Sequence, residues 1–223
     1  MSRSIKQLDL KLQTTAIGAA VLYCSWPLGD VLNPAANRGL ASNLGAVGQP
    51  YNWLFAGLDI LSGSVIIIIA LLLYGRSPRP HRWLLDWSII GYGLFGGLTA
   101  LAALLPIDCL DTVQRCSSLA SHPLIIVHGL ASIGSIGGLT ISIAGLWFLL
   151  AYQRRVGRAL RWLLFSIAIG WLGFAVATAI FILTNRSSAL SQHLFIILCS
   201  VWIGLLPYLV YRVTSVRHKV AVG

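Results

Sequence analysis

The stretch NWLFAGLDILSGSVIIIIALLLYGRSPRPHRW, residues 52–83, decides the class of this protein. Residues 52–74 carry a single charged side chain, Asp59. A helix of that length reaches about 34 Å, enough to cross the ~30 Å hydrocarbon layer of a bilayer. Lipid offers the backbone no hydrogen-bond partners, so a lone spanning segment has to be helical. Arg76, Arg79 and Arg82 follow in one short turn. An apolar helix ending on such a turn is a transmembrane span with that end in the cytoplasm.

Working outward, the same pattern recurs near residues 14 to 32, 84 to 106, 122 to 152, 160 to 184 and 193 to 213. The sequence therefore predicts an all-α bundle of six transmembrane helices. Thirteen of the sixteen Lys and Arg fall on one side of it: Arg3, Lys6 and Lys11, the turn just described, Arg154, Arg155, Arg158 and Arg161, and finally Arg212, Arg217 and Lys219. Only Arg38, Arg115 and Arg186 fall on the other. Basic short loops stay inside, which places both termini in the cytoplasm. Trp53, Trp83, Trp87, Trp162, Tyr51, Tyr152 and Tyr211 gather near the predicted ends, where amphipathic rings anchor to headgroups.

Composition agrees. The 223 residues are 57% hydrophobic and 10% charged, with a mean hydropathy of +0.82. That is more apolar than a soluble domain tolerates, and residues 1–223 read as a single integral membrane domain. In a soluble protein the formal charge of +10 would suggest nucleic acid. Here the charges sit in short loops beside helix ends with no continuous basic stripe, so their expected partners are membrane lipids with anionic headgroups. The basic lead and first apolar segment lack an Ala-x-Ala exit and read as an uncleaved signal anchor.

The fourth segment carries Gly129, Gly134, Gly138, Ser142 and Gly145, and the third carries Gly93 and Gly97. Small residues one turn apart let backbones approach, so these two helices are expected to form the packed centre of the bundle. The outward loop from Asn33 to Pro50 reads as irregular backbone.

Glu is absent, and the acids are all Asp. Asp59 lies within a span, where an ionised carboxylate is costly and points either to function or to a structural hydrogen bond. Asp86 sits beside Arg82 at a helix end, where a local ion pair and the helix dipole account for it. His122, His128 and His193 lie on the outward side with Asp108 and Asp111. His128 and Asp59 should share a depth, and such a pair can relay protons, act as general base and orienting partner, or join a zinc site. His122 and His128 are about 120° apart on a helix, so no standard metal spacing is met. Interfacial histidines also serve as helix caps and headgroup contacts. Cys109 and Cys116 share one outward loop, and an oxidising compartment would favour a disulfide between them.

Several motifs carry a family resemblance: Ser42-Asn43-Leu44-Gly45-Ala46, then Gln49-Pro50, Trp53-Leu54-Phe55, Gly63, Pro106 with Asp108, and His128-Gly129. Together they resemble a bacterial membrane family, domain of unknown function 998, with DRAM-like relatives. The family's first motif usually reads Ser-Glu-Leu-Gly, and here Asn43 replaces the acid. The resemblance implies six membrane helices and no particular reaction.

The leading expectation is a protein that binds a lipid or other amphiphile on its outward side, using the outer halves of the second, fourth and sixth segments with Ser42, Asn43, Asp108, His122 and His193. A metal-dependent hydrolase of lipid amide or ester bonds is the alternative, with zinc on His122, His128 and His193 and with Asp59 or Asp108 activating water. A proton-coupled carrier built on Asp59 and His128 is the third reading.

Overall fold

The computed structural model describes residues 3–75, 82–105, 107, 123–152, 158–183 and 189–221. Among them every regular element is helical: α1 (Arg3–Tyr23), α2 (Trp26–Leu32), α3 (Pro34–Asn37), a 3₁₀ turn (Ala41–Gly45), α4 (Asn52–Tyr74), α5 (Arg82–Leu104), α6 (Pro123–Tyr152), α7 (Arg158–Leu183) and α8 (Ala189–Ala221). Among the described residues, four helices are long and apolar enough to cross a membrane: α4, α5, α6 and α8. The α1–α2 pair makes a fifth if its two arms form one span. Large apolar side chains stand exposed along mid-helix faces, among them Leu71 (70%), Ile133 (68%) and Leu172 (57%). Exposure of this kind suits lipid rather than water.

The first apolar segment departs from the expected continuous helix over 14 to 32. It starts earlier, at Arg3, breaks after Tyr23, and resumes at Trp26 bent by about 40°. Pro27 is the cause: its ring would collide with the Tyr23 carbonyl four residues back, and it has no N–H to continue the ladder. The loop from Asn33 to Pro50 is also more regular than expected. The Asn33 side-chain oxygen accepts from the Ala36 N–H at 3.3 Å and starts α3. Leu44 and Ala36 pack on Phe55 to give this region a small core of its own.

α5 packs against both α4 and α6, α1 against α4 and α8, and α7 against α6 and α8. Chain neighbours are thus mostly spatial neighbours, and α1 closes the ring between α4 and α8. Glycine makes the tightest approaches. A Cβ at Gly63 would lie 2.4 Å from the Gly96 carbonyl oxygen, and one at Gly91 would lie 2.5 Å from that of Gly138. The expected glycine packing of the third and fourth segments is therefore present, but Gly91 rather than the Gly93/Gly97 pair makes the close contact. Gly93 and Gly97 instead face Ala70 and Ile67 of α4 at ordinary spacing or slightly less.

Buried polar bonds lock the centre. Ser88 donates to the Ser142 carbonyl at 2.7 Å, the Trp202 indole donates to the Ser142 hydroxyl at 3.0 Å, and Tyr92 donates to the Ile203 carbonyl at 3.0 Å. Ser62 donates to the Ala19 carbonyl at 2.9 Å and Gln13 to that of Gly204 at 2.7 Å. In a medium without water, bonds of this type specify which helix faces meet.

Candidate functional site

At the end of the bundle that carries α2, α3 and the 3₁₀ turn, the helices splay around a partly open cavity of about 170 Å³. α4 supplies Phe55, Ala56 and Asp59, one helical face at spacings of one and four. α6 supplies His128, Ser132, Ser135 and Ile136, again one face. Thr99, Ala102 and Ala103 come from the end of α5, and Gln192, Phe195 and Ile196 from the start of α8. Tyr23 and Trp26 enter from either side of the Pro27 break, and Ala41, Ser42, Leu44 and Gly45 form the roof. Two bonds pin that roof. The Ala41 N–H donates to the Gln192 side-chain oxygen, and the Val47 N–H donates to the Ile107 carbonyl at 2.9 Å.

His128 has a settled orientation. Its Nδ1 lies 2.9 Å from the Ala102 carbonyl oxygen and 2.8 Å from that of Leu105. Both partners are acceptors, so Nδ1 carries a proton, and Nε2 is left with a lone pair when the ring is neutral. These carbonyls lie at the C-terminal end of α5, where backbone donors run out; the Ala102 carbonyl also accepts from the Leu105 N–H at 3.2 Å. His128 therefore caps α5. The adjacent hydroxyls turn their protons back onto their own helix: Ser132 donates to the His128 carbonyl at 2.9 Å and Ser135 to the Ser132 carbonyl at 2.8 Å. Their lone pairs remain free to accept.

Asp59 and His128 line the same cavity, on facing elements. No hydrogen bond joins them: the His128 Nδ1 is committed to α5, and Asp59 forms no hydrogen bond among the described residues. The Asp59 carboxylate lies within electrostatic reach of the Tyr23 hydroxyl. His193 does not converge on the pair. It is 9% exposed and stacks on the back of the cavity wall against Trp26, with ring centroids 4.0 Å apart and 5° from parallel. Among the described residues, no three His, Cys, Asp or Glu side chains come together as a metal site. Ser42 lines the cavity, whereas Asn43 is 1% exposed and packs behind the roof with neither amide atom bonded. Asp108, Asp111, His122, Cys109 and Cys116 lie outside the described residues; Cys24 and Cys199 are free thiols.

A sequence model of one protein family matches residues 16–207, from the middle of α1 to Pro207 in α8. The matched span contains every element that builds the cavity. The chain belongs to the DUF998 family. Its description, "Protein of unknown function (DUF998)", assigns no activity. No curated protein matches the chain. Nor does any solved structure. What this DUF998 member does has to be argued from the cavity, and there sequence reasoning missed Tyr23, Trp26, Thr99, Ser132, Ser135 and Gln192. A helical signal existed for two of them: Ser132 and Ser135 follow His128 by four and seven residues, on the same face. Gln192 sits beside the histidine that drew notice.

Proposed function

We propose that this protein is a polytopic inner-membrane protein whose cavity lies on the outward side and receives the polar head of a membrane amphiphile. One observation carries the reading: acceptor groups of Asp59, His128, Ser132 and Ser135 share a partly open cavity with apolar walls of Leu44, Phe55 and Ile196. Small-molecule sites have this character, mostly apolar with a few convergent polar groups. The volume suits a headgroup rather than an acyl chain. An apolar cavity of about 150 Å³ accommodates a guest the size of benzene, and the tails would lie against exposed side chains at the same end of the bundle, such as Leu104, Leu124 and Leu130. The basic turns at the other end meet anionic headgroups of the cytoplasmic leaflet.

The hydrolase reading draws less support, because His193 belongs to the Trp26 stack and His128 to the α5 cap. The carrier reading needs a polar path inward from Asp59. The buried groups below the cavity, Ser88, Trp202 and Tyr92, have their protons committed to the Ser142 hydroxyl oxygen or to backbone carbonyls.

Lipid analysis of the purified full chain tests the proposal. Ala56→Phe fills the cavity from α4, and the expected result is loss of co-purified lipid at an unchanged unfolding midpoint. Equal lipid content in the wild type and in a folded Ala56→Phe would overturn it.

A further inference from the structure

We infer that the cavity selects an alkylammonium head. The inference rests on the headgroup reading above and names its chemical class. Three donors that could have faced an anion are spent on carbonyls: the His128 Nδ1 proton and the hydroxyl protons of Ser132 and Ser135. What remains toward the cavity is one carboxylate and several lone pairs, beside neutral donors such as the Thr99 hydroxyl and the Trp26 indole N–H and with no Lys or Arg among the described residues. The Ser132 and Ser135 hydroxyl oxygens keep lone pairs, and Asp59 brings a carboxylate with no hydrogen-bond partner among the described residues.

None of the described residues lining the cavity is Lys or Arg. A phosphate there would meet a carboxylate and no Lys or Arg, which is repulsive and poorly bonded. An ammonium reverses both terms. It neutralises Asp59, supplies N–H donors to the acceptors, and lies among the aromatic side chains of Tyr23, Trp26, Phe55 and Phe195 in the walls. Gln192 fits the same account. Its carbonyl oxygen is held by the Ala41 N–H, leaving one amide N–H₂ to serve the phosphate or ester that follows the amine in a lipid head.

The test uses the purified full chain in neutral detergent, titrated with dihexanoyl phosphatidylethanolamine and dihexanoyl phosphatidylglycerol, with binding read by native mass spectrometry. The expected result is at least about tenfold tighter binding of the ethanolamine lipid, the scale of one charge-assisted hydrogen bond. Asp59→Asn should remove that preference, weakening the ethanolamine lipid by about tenfold and relieving the repulsion of the glycerol lipid. Equal binding, or tighter binding of the glycerol lipid, overturns the ammonium assignment. So does a folded Asp59→Asn that keeps the preference. The wild-type comparison decides the matter alone if that variant does not fold. If both lipids bind alike and Ala56→Phe removes both, the headgroup site stands and the ammonium class falls; if neither binds, both readings fall. Displacement of the ethanolamine lipid by free ethanolamine would support the class with a soluble amine as sufficient ligand. Preference without displacement supports it with the lipid as the source.

Discussion

The indole of Trp26 and the imidazole of His193 stack face to face, with centroids 4.0 Å apart and planes 5° from parallel. The pair clamps the segment after the Pro27 break onto the start of α8. The His193 Nε2 is buried without a partner among the described residues, so the ring contributes its face and its polar atom contributes a cost. His193→Phe keeps the stack and removes the orphan atom, and it should match or exceed the wild type in thermal unfolding in detergent. His193→Ala should lose about 1 kcal/mol. A phenylalanine variant less stable than the alanine variant would refute a purely packing role.

His128 should behave as a cap. His128→Ala strips a donor from the Ala102 and Leu105 carbonyls, with an expected cost of about 1–2 kcal/mol. Hydrogen exchange at the end of α5 is the measurement: the amides there should lose protection while those near Tyr92 keep theirs. Uniform loss across the bundle, or none, would contradict the capping role.

Gly137 and Gly138 are adjacent yet should respond oppositely to alanine. A Cβ at Gly137 meets nothing within 4 Å, whereas one at Gly138 would lie 2.7 Å from the Phe95 backbone nitrogen and 2.9 Å from the Gly91 carbonyl oxygen. Gly138→Ala should cost about 1–3 kcal/mol as α5 and α6 are forced apart. Gly137→Ala should be neutral or slightly stabilising, since alanine is the better helix former. Comparable midpoints for the two variants would show that the α5–α6 contact is looser than described.

The charge asymmetry predicts six spans with both termini cytoplasmic, α7 being the sixth. Reporter fusions after Arg158 and at the C-terminus should give cytoplasmic signals. A periplasmic signal from either would invert the orientation. The same orientation puts Cys109 and Cys116 in an oxidising compartment, where non-reducing peptide mapping should find them joined. Recovery of both as free thiols from protein matured in the cell would rule out the bond.

The long helices were legible in the sequence because lipid imposes a simple rule: an uninterrupted apolar run has to be a helix. The 52–74 and 122–152 segments accordingly fall within a residue of Asn52–Tyr74 and Pro123–Tyr152. Pro27 also announced its break, but hydropathy alone reads across it. The site was only half legible. Asp59 stood out as a charge in an apolar run, and His128 as an imidazole at its depth. Which atom of His128 bonds to what depends on where α5 ends in space, and periodicity does not encode that. His193 was assigned to the same centre from its side of the membrane, yet its rotation about α8 turns it to Trp26 rather than to the cavity. Gln192, one residue earlier, takes the inward position.

The roof bond from Ala41 to Gln192 joins residues 151 apart, and the Gln13 bond to Gly204 joins residues 191 apart. Both wait on α8, which is made after the helices it joins. During synthesis α4, α5 and α6 can pair in turn as neighbours, but the compartment around Asp59 has no finished wall until α8 arrives and no pinned ceiling until Gln192 is in place. A chain stopped before that point leaves Asp59 without the α8 wall and the pinned roof that enclose it in the finished protein.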